Sequence, residues 1–250
     1  MYTQPVHVES STAAVLEFIQ RNPLGVLTTG IPSTDHPFLQ STHIPWVLDT
    51  DSDNPTKMRL RGHIARQNAQ AKAMVDALAA SGSQLEQEVM VLFTEPHHHY
   101  VTPKFYTETK PVTGKVAPTW NYSAVQVYGK ATVYYDSSRP ETAHYLSQQL
   151  HDLSHHCETT VMGYTGQDGQ KAPWTVDEAP ETYLNILKKN IVGIEIAIDR
   201  MQGKVKMSQE RGIGDRQGVI EGFQELGTDT GNRIAQMVQE RGQMKDDAKR

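Results

Sequence analysis

The 250-residue chain contains a single cysteine, Cys157, which excludes an internal disulfide and fits a reducing compartment. No apolar run reaches the length of a bilayer span. The first residues, MYTQPVHVES, lack the positive start and apolar core of a secretory signal. A cytoplasmic protein is expected, with the nucleus also open and no membrane partner. Excess charge is scarce too: 24 Lys and Arg against 29 Asp and Glu leave −5, which gives no global attraction to nucleic acid. HExxH, paired zinc cysteines and a GxSxG elbow are absent. GIGDR at residues 212–216 is neither a dinucleotide-binding nor a Walker loop. With no helix-turn-helix or zinc-finger pattern either, direct DNA binding is not expected.

What is present is a globular composition, 37% hydrophobic and 21% charged, with no internal repeat and no clear linker. One domain over residues 1–250 is expected. Ser10 or Ser11 can cap a helix to about Arg21, stopped by Asn22-Pro23. LGVLTTG, FLQSTHIPWVLD, MRLRGHIA, EVMVLFTE and VQVYGKATVYYD read as strands, and IVGIEIAIDRMQGKVKM as a long strand or a hairpin turning at Gln202-Gly203. Asp49 to Thr56 reads as a polar turn, and Asn68 to Ala80, Pro140 to His156 and Pro180 to Lys189 as helices. His97 to Gly114 and Gly163 to Pro180 read as loops. Residues 217–250 read as mostly helical, ending in a solvated charged tail. Hairpins outnumber crossovers, so the pattern predicts an antiparallel β-barrel with peripheral helices, mainly β in an α+β arrangement.

The densest chemistry lies between Lys115 and Asp136, KVAPTWNYSAVQVYGKATVYYD. Trp120, Tyr122 and Tyr128 offer flat stacking surfaces, and Thr119 and Asn121 offer hydrogen bonds, a mixture that suits a planar ligand with polar edges. An aromatic corner at a barrel rim suits the same residues equally well.

Two basic clusters flank it in sequence. In RLRGHIARQNAQ, Arg61, His63 and Arg66 lead from a strand end into a helix that Asn68 can cap, an arrangement that can hold a phosphate. A solvated strand edge gives the same pattern. In GKVKMSQERGIGDR, alternation puts Lys204, Lys206 and Ser208 on one face, followed by Gln209 and Arg211; a charged outer strand is the plainer account. A third run, His97-His98-His99-Tyr100, offers imidazoles for a metal or a haem axial position, but no third ligand has recognisable spacing. Exposed loop histidines explain it without any ligand.

Taken in order, RGHIARQN, VLFTEPHHHYVTPKFY, KVAPTWNYSAVQVYGKA and IVGIEIAIDRMQGKVKMSQERGIGDRQGVI resemble the signature blocks of the PaiB-type FMN-binding negative transcriptional regulators. The resemblance runs from Met1 to about residue 240. It implies a split β-barrel of the pyridoxine-phosphate oxidase type, forming a homodimer with flavin pockets at the subunit interface. It implies that Arg61, His63 and Arg66 lie near the FMN phosphate and Trp120 and Asn121 near the ring. It also implies that Lys206, Ser208, Gln209 and Arg211 close the pocket. The chain departs from the family pattern in its extra histidines at 97–99 and in Met207 and Glu210, which stand where Leu and Asn are common. Three functions follow: an FMN-dependent redox protein acting on a small molecule, an oxidoreductase if it is an enzyme; a regulator that carries flavin or no cofactor; or a haem-binding barrel using His97, His98 or His99. No acid–base pair is visible, so no catalytic residue is named.

Overall fold

A computed structural model describes residues 1–50, 57–78 and 82–247. In chain order it contains β1 (Val8–Glu9), α1 (Thr12–Arg21), β2 (Leu24–Gly30), β3 (Leu39–Pro45), β4 (Val47–Thr50), β5 (Met58–Ala65), α2 (Ala69–Leu78) and β6 (Gln84–Thr94). There follow β7 (His99–Val101), α3 (Thr109–Thr113), β8 (Thr119–Tyr134), α4 (Pro140–His156), α5 (Glu181–Lys189), β9 (Ile191–Lys206), α6 (Ile213–Glu225) and α7 (Asp229–Asp247). Most of the expected polar turn at 49–56 and the end of the expected helix 68–80 lie outside the described residues. Among the described residues no helix is long and apolar enough to cross a membrane.

The chain groups into two compact units. The first comprises Met1–Val15, Thr94–Val125 and Gln202–Arg250, the second Leu16–Phe93 and Gln126–Met201.

The second unit holds the barrel. Its strands follow the order β3-β2-β6-β8-β9-β5-β4, with antiparallel registers such as Leu27↔Thr42, Leu48↔Leu60 and Gly62↔Ile194. The two ends of this order, β3 and β4, are separated in sequence by Trp46 alone. The sheet must therefore curl until its edges meet, which makes it a split β-barrel. The single strand expected from FLQSTHIPWVLD is thus two, bent where Pro45 precedes Trp46. Trp46 is 1% exposed, and its amide donates to Pro23 O at 2.8 Å. It packs on β5 at Gly62, where a Cβ would lie 2.9 Å from Ile44 Cγ2 and 3.0 Å from Trp46 Cε3. Leu27, Leu60, Phe93, Val127, Ile194 and Ile196 are fully buried in this unit. Outside the barrel wall, Tyr145 of α4 donates to Ile194 O at 2.6 Å and Gly62 O at 3.2 Å, fixing the helix over β5 and β9.

The first unit is built around an apolar cluster of Val101, Tyr106, Val205, Met207, Val219, Phe223, Ile234 and Val238. Three expectations change here. The loop 97–114 contains β7, paired Tyr100↔Trp120, and the short helix α3; burial of Val101 and Tyr106 orders it. Gln202-Gly203 is not a turn, because β9 runs straight through and Gly203 pairs with Glu9 of β1. Glycine is needed there for close approach, since a Cβ would sit 2.9 Å from that of Glu9. The C-terminal helical segment begins at Ile213 and breaks at Gly227 (φ 63), after which Thr228 Oγ1 accepts the Gly231 amide at 3.0 Å and starts α7.

The Trp46 corner leads to a stability test. Gly62→Val should destabilise the protein by about 1–3 kcal/mol through overpacking against Ile44 and Trp46, measured by chemical denaturation. A change within error would show that the corner can move aside without cost.

Candidate functional site

The strongest convergence of expected residues is in the first unit. The β7–β8 register places Tyr100 beside Trp120, with ring centroids 6.2 Å apart and edge-on; His98 lies 6.0 Å from the same indole. Trp120 is 52% exposed, although large aromatic side chains normally bury most of their surface. Strand alternation then turns Asn121 to the opposite, fully buried face. The two residues expected together at a ring therefore present themselves on different sides of β8.

Lys206, the last residue of β9, binds back across β8. Its Nζ donates to Thr119 Oγ1 and, at 3.0 Å, to Trp120 O. Burial pushes its pKa below the ordinary lysine value, helped by Lys204 and Arg211 and opposed by Glu210. Lys204 follows the expected alternation: its Nζ is 5.2 Å from the Tyr122 ring centroid and donates to Tyr2 O. Trp120, Tyr122, Lys204 and Lys206 together make a face that is both aromatic and cationic.

Ser208 does not continue that face. The strand has ended, and Ser208 takes the left-handed conformation (φ 57), completely buried, with its hydroxyl donating to Asn121 Oδ1 at 3.1 Å. Gln209 staples the turn: Oε1 accepts the Met207 amide at 2.6 Å, and Nε2 donates to Val205 O at 2.5 Å and Val6 O at 3.2 Å. Its side-chain groups are thus engaged within the protein. Arg211 lies over the Tyr106 ring at 4.4 Å. Burial raises the pKa of that phenol, against the effect of the guanidinium. Glu210 pairs with the buried His7 at 3.0 Å. Burial alone would raise the Glu210 carboxyl, but the His7 hydrogen bond and nearby cations bring it below the ordinary carboxylate range.

Among the described residues of this unit, three buried polar atoms have no hydrogen-bond partner: Asn121 Nδ2, Ser123 Oγ and Arg211 Nε. Such atoms are costly unless something else pairs with them. The unpaired Asn121 Nδ2, the Arg211 Nε that has only an ion pair with Glu210 at 3.7 Å, two lysines and an exposed indole fit an anionic ligand with a flat ring and acceptor atoms at its edge, which describes FMN.

The other expected cluster lies in the second unit, and its cations already have partners. Arg61 is 7% exposed, because its face of β5 lies against α4 and is not a solvated strand edge. Its Nε and Nη2 donate to Asp49 at 2.6 and 2.8 Å, and Nη2 also to Asp152 at 2.6 Å. Burial alone would lower its pKa, but the two carboxylates raise it. His63 Nδ1 is 2.6 Å from Gln149 Oε1, and burial lowers its pKa against that hydrogen bond. Arg66 donates to the carbonyls of Lys189, Tyr135 and Ile191. Asn68 caps α2 as expected, accepting the Gln70 amide at 2.8 Å.

The histidine run is dispersed. His98 faces Trp120, while His99 donates through Nδ1 to Tyr100 O at 2.8 Å and meets the Phe223 ring edge-on at 5.3 Å. Among the described residues no group of three or more His, Cys, Asp or Glu side chains could hold a metal ion. Sequence reasoning missed the parts played by His7, Tyr106 and Lys245. His7 and Glu210 stand 203 residues apart, so no local pattern links them.

Comparison with known proteins agrees with the motif resemblance. A family model described as "Putative FMN-binding domain" matches residues 1–200. An uncharacterized protein of Aspergillus fumigatus is 57% identical over 260 residues, covering 98% of this chain and 99% of its own. The "Protease synthase and sporulation protein PAI 2" of Bacillus subtilis is 25% identical over 241 residues, covering 96% and 98%. A solved pyridoxamine 5'-phosphate oxidase-related, FMN binding protein of Nostoc punctiforme covers 79% of this chain and 85% of its own, with 10% identity and a TM-score of 0.41. With the family model spanning four-fifths of its length, the chain belongs to this family of FMN-binding domains.

Proposed function

We propose that the protein binds FMN on the Trp120–Lys206 face of the first unit and acts as a flavin-dependent redox protein on a small-molecule substrate. The observation that carries this reading is the half-exposed indole of Trp120 beside the Lys206 ammonium, with the Asn121 amide left unpaired behind it. When bound, FMN supplies the electron or hydride chemistry. The chain's own contribution is to bind and orient it: Trp120 offers a stacking plate, and Lys206 and Arg211 offer positive charge. Glu210 is tied to His7, so the loop provides electrostatics without a free general base. We also infer a homodimer, supported by the exposure of Trp120 and Tyr100. A second reading, which the motif resemblance to the PaiB-type regulators implies, is a regulator in which flavin reports redox state.

An absorption spectrum of the purified protein with added FMN or haemin separates these readings. Flavin bands together with oxidation of a reduced nicotinamide support the redox reading. Flavin without turnover favours the regulator, and a Soret band that responds to substitution of His97, His98 and His99 would replace flavin with haem.

Trp120→Ala should weaken FMN binding by about 0.5–1.5 kcal/mol through lost stacking. Lys206→Met should weaken it by about 1.5–3 kcal/mol through loss of a charged hydrogen-bond donor. Fluorescence titration measures both, and unchanged affinity in the pair would reject this face. The pH dependence has a defined sign. The Lys206 ammonium is present below its folded pKa and lost as pH rises through it, and that pKa lies below the ordinary value of 10.5. FMN affinity should therefore fall with rising pH on the alkaline side, before 10.5 is reached, in the wild type but not in Lys206→Met.

A further inference from the structure

The turn at residues 207–211 carries the only non-glycine residue with positive φ that is fully buried among the described residues, Ser208. An L-residue held in that conformation persists only where its surroundings impose it. Inside the turn, Arg211 N donates to Ser208 O at 3.0 Å, and the Gln209 side chain closes the other half. Two cations outside the turn act on its carbonyls. Lys245, in the last turn of α7, donates through Nζ to Gln209 O at 2.5 Å and Arg211 O at 3.3 Å. Arg216 of α6 donates through Nη1 to Arg211 O at 3.3 Å and is ion-paired with Asp246, the residue next to Lys245. Arg216 crosses α7 at Gly242, where a Cβ would be 3.0 Å from its Nε.

A lysine near a helix C-terminus needs no special role, since the dipole favours it there. Lys245 does more, because its ammonium clasps two carbonyls of a different segment on either side of Glu210. The turn and both helices also lie beyond residues 1–200, the part the family model matches.

We propose that Lys245 is a positioning residue: by clasping Gln209 O and Arg211 O it holds the left-handed turn that places Ser208 against Asn121 and aims Lys206 and Arg211. The link to ligand rests on the FMN reading above, but the positioning itself does not, so the two are tested separately. In the full-length protein without ligand, Lys245→Met should speed amide hydrogen exchange at Met207 and Arg211 by about tenfold, with exchange in the middle of α7 unchanged. Lys245→Arg, which keeps the charge and the donors, should restore protection. Unchanged exchange in Lys245→Met, or equal loss of protection throughout α7, would overturn the positioning role. With FMN added, Lys245→Met should raise Kd by about tenfold, or 1.4 kcal/mol, and Lys245→Arg should bring it back. If Lys206→Met weakens FMN binding while Lys245→Met does not, the link between turn and ligand is overturned. If neither alters FMN binding, the flavin face is wrong, and the exchange result alone decides the positioning role.

Discussion

The barrel depends on one corner. Because Trp46 alone separates the two ends of the strand order, closing the sheet and burying an indole are a single event. The indole can be buried only where the opposing strand presents no Cβ, and Gly62 provides that position. Gly62 also accepts a hydrogen bond from Tyr145, so the same residue receives the corner on one side and the α4 helix on the other. That double use explains why the middle of β5 is buried on both faces and why Arg61 and His63 lie beneath α4. Arg61 and His63 meet Asp152 and Gln149 because the helix that Tyr145 anchors lies across them.

The contrast between the two basic clusters follows from how fully their donors are committed. A buried guanidinium needs carboxylates, and Arg61 has two; removing one would leave an uncompensated charge. Arg61 is thereby better explained as part of the barrel than as a free anion receptor. The first unit is different. Its Lys204 and Lys206 reach a hydroxyl and backbone carbonyls, which stabilise an ammonium without neutralising it, whereas Arg211, Arg216 and Arg241 are paired with Glu210, Asp246 and Glu9. Local positive charge persists there in a chain whose net charge is −5, and a surface of that kind retains attraction for an anion.

Alternation and capping residues made much of this legible. Five strands, the caps at Ser11 and Asn68, and the pairing of aromatic and basic residues around Trp120 can be read from spacing. Three kinds of feature could not. Alternation tells which side of β5 a residue faces but not whether a helix covers that side, so spacing left Arg61 open between a phosphate contact and a solvated edge. A glycine in a strand can mark a turn or a close approach, and Gly203 proved to be the second because β1, nearly 200 residues away, packs on it. Contacts such as His7–Glu210 and Lys245–Gln209 join segments with no shared local pattern, and sequence spacing is silent about them.

The strained turn at Ser208 gives the site a particular energetic character. A flexible loop must be ordered when a ligand arrives, and the entropy lost is subtracted from affinity. Here the ordering takes place during folding. The buried Ser208–Asn121 hydrogen bond, the Gln209 staple and the clasp from α7 fix the turn beforehand, at the expense of one unfavourable backbone conformation. The cations on either side of the turn are then presented at fixed positions, and a ligand that matches them binds without having to organise them. At the proposed FMN face the same rigidity would give selectivity: a ring lacking acceptors would leave the Asn121 amide buried and unpaired, a penalty that a mobile loop could evade by turning its donor to water.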